Sequence, residues 1–156
     1  MGLFSALNIS ASALSAERER SEVAVSNLAN VDTTRTEGGS GPYRRREVVL
    51  ESVGTSPFQS VLNNASDLRA GTVPSGGVKL THVVEDGADP IRRYDPGHPD
   101  ADKDGYVSFP AINPAEEMVD LMGSVRAYQL NASAVSASKQ MIQQSRPFEE
   151  LRERYE

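Results

Sequence analysis

The sequence predicts an α+β protein in which two long terminal helices pair as a coiled coil around a small β-rich lobe. Three observations carry this expectation. Apolar residues recur at a three-four spacing near both ends, the mark of a narrow helical seam. Between the ends, short β-branched and aromatic runs are punctuated by Gly and Pro. The apolar share of the 156 residues is only 38%, with 6% aromatic and no Trp, which is thin for a self-sufficient core. Much of the burial is therefore expected against other chains.

The charge balance narrows the partners. A net charge of −6 argues against nucleic acid or an anionic membrane as the main one. The absence of cysteine excludes disulfides and thiolate metal sites. The N-terminus lacks the basic start and continuous apolar stretch of a cleavable signal peptide, and no run reaches transmembrane length.

Residues 1–31 hold the first helix, read over 4–28. Phe4, Leu7, Ala11, Leu14, Val25 and Leu28 lie on one line, interrupted by Arg18 and Ser21. At 1.5 Å per residue this helix is about 38 Å long, more than a lone small domain covers. Ser and Ala crowd positions 5 to 16, which lets neighbouring helices approach closely. The patch Glu17-Arg18-Glu19-Arg20 with Glu22 offers Glu17–Arg20 and Arg18–Glu22 pairs on a solvated face. Asn30 is expected to end the helix in a left-handed conformation, followed by the turn-forming Asp32-Thr33-Thr34.

Residues 32–112 form the β-rich middle lobe. Polar, Gly-rich 34–41 reads as a loop, and Tyr43 to Glu51 as a strand opened by Arg44-Arg45-Arg46. In an acidic chain that triplet is expected to face solvent or a partner's carboxylates. Residues 63–77 lack periodicity and read as a loop. Val78, Leu80, His82 and Val84 alternate with polar residues, as in a half-buried strand. Ile91 to Tyr94 and Tyr106 to Phe109 are short strands between Pro and Gly.

Residues 113–145 form the second helix and 146–156 a tail. Asn113 caps the helix start, Pro114 sits where its missing N–H is harmless, and Glu116 is placed to bond back to the cap. Met118, Leu121, Val125, Tyr128, Ala132, Val135, Lys139 and Ile142 follow the seam, seven of the eight being apolar.

Several stretches go beyond pattern. Asn27-Leu28-Ala29-Asn30-Val31-Asp32-Thr33, ending an N-terminal amphipathic helix, resembles the signature of the bacterial flagellar rod and hook family of axial proteins. Gly41-Pro42-Tyr43-Arg44-Arg45-Arg46, Tyr94-Asp95-Pro96-Gly97-His98-Pro99-Asp100-Ala101-Asp102, Asp104-Gly105-Tyr106-Val107 and Asn113 to Gln129 extend the likeness over nearly the whole chain, towards the proximal-rod subunits of that family. Ser21 departs from it, being polar where the family has an apolar seam residue, and so does the tail from Arg146 to Glu156. The resemblance implies a structural subunit of the proximal rod of the flagellar basal body, transmitting torque and self-assembling through its terminal helices. It implies export through the flagellar secretion apparatus without a cleavable signal, and contacts with its own copies, other rod proteins, the export apparatus and the basal-body rings. The assembly interface is then expected at Phe4, Leu7, Leu14, Val25 and Leu28 on the first helix and Met118, Leu121, Val125, Tyr128 and Val135 on the second. Asn27 and Asn30 would fix the exit of the first helix.

One stretch invites a chemical reading. Asp100-Ala101-Asp102-Lys103-Asp104-Gly105 repeats the first half of an EF-hand loop, but Ala111 stands where the twelfth position needs a bidentate Glu, and Pro99 and Pro110 bracket it. An Asp/Gly turn between two strands is expected instead. His82 and His98 are the only histidines and lack metal-ligand spacing, and no nucleophile elbow or phosphate loop occurs. No cofactor, metal, nucleic acid or small-molecule substrate is expected, and the chain is not read as an enzyme.

Overall fold

The computed structural model describes residues 3–36, 38, 41–53 and 76–153, with side chains described from residue 5 to residue 144. The fold is α+β: helix α1 (Leu3–Ala29), strands β1 (Arg46–Ser52), β2 (Val78–Glu85), β3 (Ile91–Tyr94) and β4 (Tyr106–Phe109), then helix α2 (Pro114–Glu153). Neither Gly nor Pro interrupts α1, so nothing in its interior weakens the backbone ladder. Asn113 accepts the Ala115 N–H at 3.1 Å and caps α2, while Glu116 stands exposed and makes no return bond among the described residues. The second helix continues past Ser145, its expected end, to Glu153.

The strands make two two-stranded sheets, β1–β2 and β3–β4. The first is flanked by Val53 N–H donating to Gly77 O (2.9 Å) and Asp86 N–H donating to Arg45 O (2.7 Å). β1 starts at Arg46 rather than Tyr43, because the Tyr43 N–H bonds to Thr33 O (3.1 Å) and is tied to the turn after α1. β2 is half-buried only at Val78 and Leu80. His82 and Val84 are exposed, contrary to the alternation, so neither face of this strand is covered beyond Leu80. Of the expected 63–77 loop, residues 63–75 lie outside the described residues. β3 and β4 pair antiparallel, Ile91 with Phe109 and Tyr94 with Tyr106, over the spans read from sequence.

The chain gathers into two compact units: 1–16 with 50–79 and 126–156, and 17–49 with 80–125. In the first, the chain entering β2 docks on α1. Ser12 Oγ donates to Ile9 O (2.7 Å) and accepts the Val78 N–H (3.1 Å). Gly77 has φ +138°, and a Cβ there would lie 2.7 Å from Ser12 Oγ, so only Gly fits.

The second unit holds the Asp/Gly turn. Asp102 Oδ1 accepts the N–H groups of Asp104 (2.9 Å) and Tyr106 (2.8 Å), and its other oxygen pairs with Arg92. Gly105 turns at φ +79° against the Tyr94 ring. Asp100 accepts Thr34 Oγ1–H at 2.7 Å. These carboxylates hold a turn, as the sequence reading favoured. The hydrogen bond from Tyr106 N–H holds the Asp102 carboxyl below the usual range against the opposing effect of desolvation, with help from the Asp104 N–H and Arg92.

Candidate assembly site

The best-defined constellation in the second unit is a buried polar cluster where the end of α1, the approach to β1 and the start of α2 meet. Asn27 is 1% exposed and uses its whole amide. Its Nδ2 donates to Arg46 O (2.9 Å) and Glu117 Oε2 (3.0 Å), and its Oδ1 accepts the Arg46 N–H (2.9 Å) and the Tyr43 hydroxyl (3.1 Å). Glu117, 2% exposed, takes Arg45 Nε on its other oxygen at 2.6 Å. Arg45 also pairs with Glu47 and lies 3.9 Å from Asp120, which Arg20 of α1 reaches at 3.4 Å. Burial pulls the Arg45 guanidinium down, but the hydrogen bond and charge of Glu117, helped by Glu47, outweigh it and leave it above its ordinary value.

A carboxylate this deep is tolerated because both its oxygens are bonded and its charge is matched. Removing one partner of such a pair costs about 3–5 kcal/mol. Arg45 thus finds its carboxylates within its own chain, correcting the expectation that the basic triplet faces outward. Arg46 lies over the Tyr43 ring (5.4 Å) and pairs with Glu85 (3.6 Å), and Arg44 is exposed.

Asn30 closes α1 through its side chain. Its Nδ2 donates to Ser26 O (2.8 Å) and its Oδ1 accepts the Thr33 hydroxyl (3.1 Å). No described non-glycine residue has positive φ, so the left-handed ending expected of Asn30 does not occur. The amide does the capping that the backbone conformation was expected to do. In the mixed-charge patch, Arg18 and Glu22 pair at 2.8 Å, whereas Arg20 turns to Asp120.

The apolar lines are not the faces this chain buries internally. α1 buries Ala16, Ala24 and Asn27, and α2 buries Glu117, Ser124 and Ser138. Val25 is 49% exposed, Met118, Val125 and Tyr128 are also exposed, and Leu7, Leu14, Leu28, Leu121 and Val135 are half-buried. The side chain of Phe4 lies outside the described residues. Residues 117, 124, 131 and 138 are Glu, Ser, Asn and Ser, a seven-residue polar repeat just beside the apolar line. That repeat was the available signal for Glu117 and Ser124, which sequence reasoning left without a role. Among the described residues no group of three or more His, Cys, Asp or Glu could hold a metal ion, and no helix is long and apolar enough to cross a membrane.

Long terminal helices whose apolar lines stay partly open, with a small β-rich lobe between them, are the build of a structural protein, and comparison with known proteins makes the class specific. Residues 7–35 match the family model for flagella basal body rod proteins, and residues 103–145 match that for the C-terminal region of flagellar basal body rod FlgEFG proteins. The flagellar basal-body rod protein FlgC of Bacillus subtilis is 46% identical over 145 residues, covering 91% of this chain and 95% of the relative. Those of Borreliella burgdorferi and Salmonella typhimurium are 38% and 37% identical, each covering 91% of this chain and 94% of the relative. The chain belongs to the FlgC family of flagellar basal-body rod proteins, which makes it a structural protein of the flagellar basal body and not an enzyme.

Proposed function

We propose that this chain is a subunit of the proximal part of the rod and polymerises through its terminal helices into the shaft that carries torque from motor to hook. What supports the reading most is that the chain's own packing leaves the apolar lines on α1 and α2 exposed at Val25, Met118, Val125 and Tyr128 and only half-buried at Leu7, Leu14, Leu28, Leu121 and Val135. In the rod, Phe4, Leu7, Leu14, Val25 and Leu28 of one helix and Met118, Leu121, Val125, Tyr128 and Val135 of the other form coiled-coil contacts with copies of this chain and with other rod proteins. Asn27 and Asn30 set the exit of α1. Residues 1–31 and 113–145 then form the helical core of the shaft, with 32–112 as the lobe and 146–156 as a tail. The chain reaches the growing tip unfolded through the flagellar secretion apparatus and meets export and ring components there. The test is to purify basal bodies from a strain carrying a tagged chain and image them by cryo-EM, alongside a deletion strain. The expected result is the tag in the rod and loss of rod, hook and motility in the deletion. Hooks and swimming in the deletion strain would overturn the proposal.

A further inference from the structure

The geometry points to Glu117 as a positioning residue for assembly. Its buried carboxylate holds α2 against α1 in one register, so that Leu28 joins Met118, Leu121 and Val125 in a single two-helix apolar strip offered to the neighbouring subunit. This rests on the rod reading above and names the residue that shapes its interface.

Asn27 meets Glu117 and Arg20 meets Asp120, so the helices run in opposite senses there: the α1 position falls as the α2 position rises. In an antiparallel pair, residues one position C-terminal to two facing residues turn to the same flank, because each is rotated about 100° from the contact. Leu28 follows Asn27 and Met118 follows Glu117, so fixing the buried pair sets the apolar residues beside it on one side. A slip of one residue along either helix would rotate its part of the strip by about 100° and split the surface.

The inner face alone does not prevent such a slip. Its other buried residues in this unit, Ala24 and Ser124, are small and fit equally well one notch away. Register needs directional contacts, and Glu117 supplies two on different elements: Arg45 before β1 at 2.6 Å and Asn27 on α1 at 3.0 Å. Asn27 is itself fixed by Arg46 and Tyr43. A buried ion pair adds little net stability over a well-packed apolar group, and fixing register is its best-attested use.

The test compares Glu117→Met with Glu117→Gln in the full chain, by melting and circular dichroism, by recovery in purified basal bodies, and by spin labels on Leu28→Cys and Met118→Cys. The chain has no other cysteine, so the labels go only there. The Met variant is expected to keep its helix content, to broaden the single label-to-label distance into several, and to be lost from rods. The Gln variant retains an acceptor for Asn27 but loses the charge that pairs Arg45, so it is expected to melt below wild type while keeping the single distance and recovering part of the incorporation lost in the Met variant. Should the Met variant not fold, Glu117→Met with Arg45→Met removes both charges and takes its place. A folded Met variant with one narrow distance overturns the proposal, as does a Gln variant no better than Met. Absence of the wild-type chain from basal bodies would instead sink the rod reading and leave the distance result standing as the measure of register.

Discussion

Asn27 and Glu117, ninety positions apart in the chain, meet at 3.0 Å inside the protein, with Arg45 and Tyr43 closing the contact from β1's approach. Three of the sequence stretches that resemble the rod family therefore converge on one cluster: the end of α1, the Gly-Pro-Tyr-Arg run and the start of α2.

Tyr43→Phe deletes a hydroxyl bonded to Asn27 Oδ1 (3.1 Å) and within 3.3 Å of Ser26 Oγ. Asn27 Oδ1 keeps the Arg46 N–H, so no acceptor is orphaned. The expected loss is about 0.5–1.5 kcal/mol in urea unfolding. Tyr94→Phe, where the ring is 64% exposed, is the reference and is expected to cost next to nothing. Equal effects at both sites would mean the cluster does not hold the unit together.

Gly77→Ala places a methyl 2.7 Å from Ser12 Oγ at a φ of +138°. Strain at such a backbone costs about 1–3 kcal/mol, and displacing Ser12 also loosens its bond from the Val78 N–H. Gly87→Ala, with open space around it, is expected to leave the melting temperature unchanged. A Gly77→Ala melt no lower than that of Gly87→Ala would remove the docking of this loop on α1.

The neighbouring residues Ser124 and Val125 are expected to fail in different places. Ser124 is 0% exposed in the free chain, so Ser124→Asp buries a charge within it and lowers the melting temperature by an amount equivalent to several kcal/mol. Val125 is exposed, so Val125→Asp leaves the free chain's melt near wild type while an unpaired carboxylate at the apolar surface blocks entry into rods. Motile cells with intact rods carrying Val125→Asp would exclude that line from the assembly surface.

The Asp102 turn gives a pH dependence of known sign. Its folded pKa lies below the unfolded one, chiefly through the Tyr106 N–H, so its contribution is present above the ordinary carboxylate range and fades as pH falls through the lowered folded value. Melting between about pH 5 and pH 2 is expected to fall less steeply in Asp102→Asn than in wild type, since the amide does not titrate. Parallel slopes would show that the turn does not depend on this charge.

The helices and strands were legible in the sequence because each is written in its own neighbourhood. Three-four spacing marked both helices, and Ile91–Tyr94 and Tyr106–Phe109 were bounded correctly by their Pro and Gly neighbours. What stayed hidden depends on partners far along the chain. The polar repeat at 117, 124, 131 and 138 marks a face beside the apolar line, but that Glu117 is buried follows only from Arg45 and Asn27 arriving from elsewhere. The apolar line was legible as a line, but not which side of the helix the chain itself would cover. Small residues and a bonded polar repeat took the inner place, since they permit close approach and specific contacts. Asn30's left-handed ending failed for a local reason: its amide had an alternative cap within reach.

The reach from Asn27 to Glu117 also has a consequence in time. A chain leaves the ribosome from its N-terminus, at about 5–20 residues per second, and Asn27 of α1 meets Glu117 only after the lobe and the start of α2 have been made. Contacts so distant in sequence close late and slowly, because the intervening loop must be ordered before they repay it. Until then Asn27 has its bonds to Tyr43 and Arg46 but not the one that ties α1 to α2. A newly made chain thereby lacks this closure for most of its synthesis.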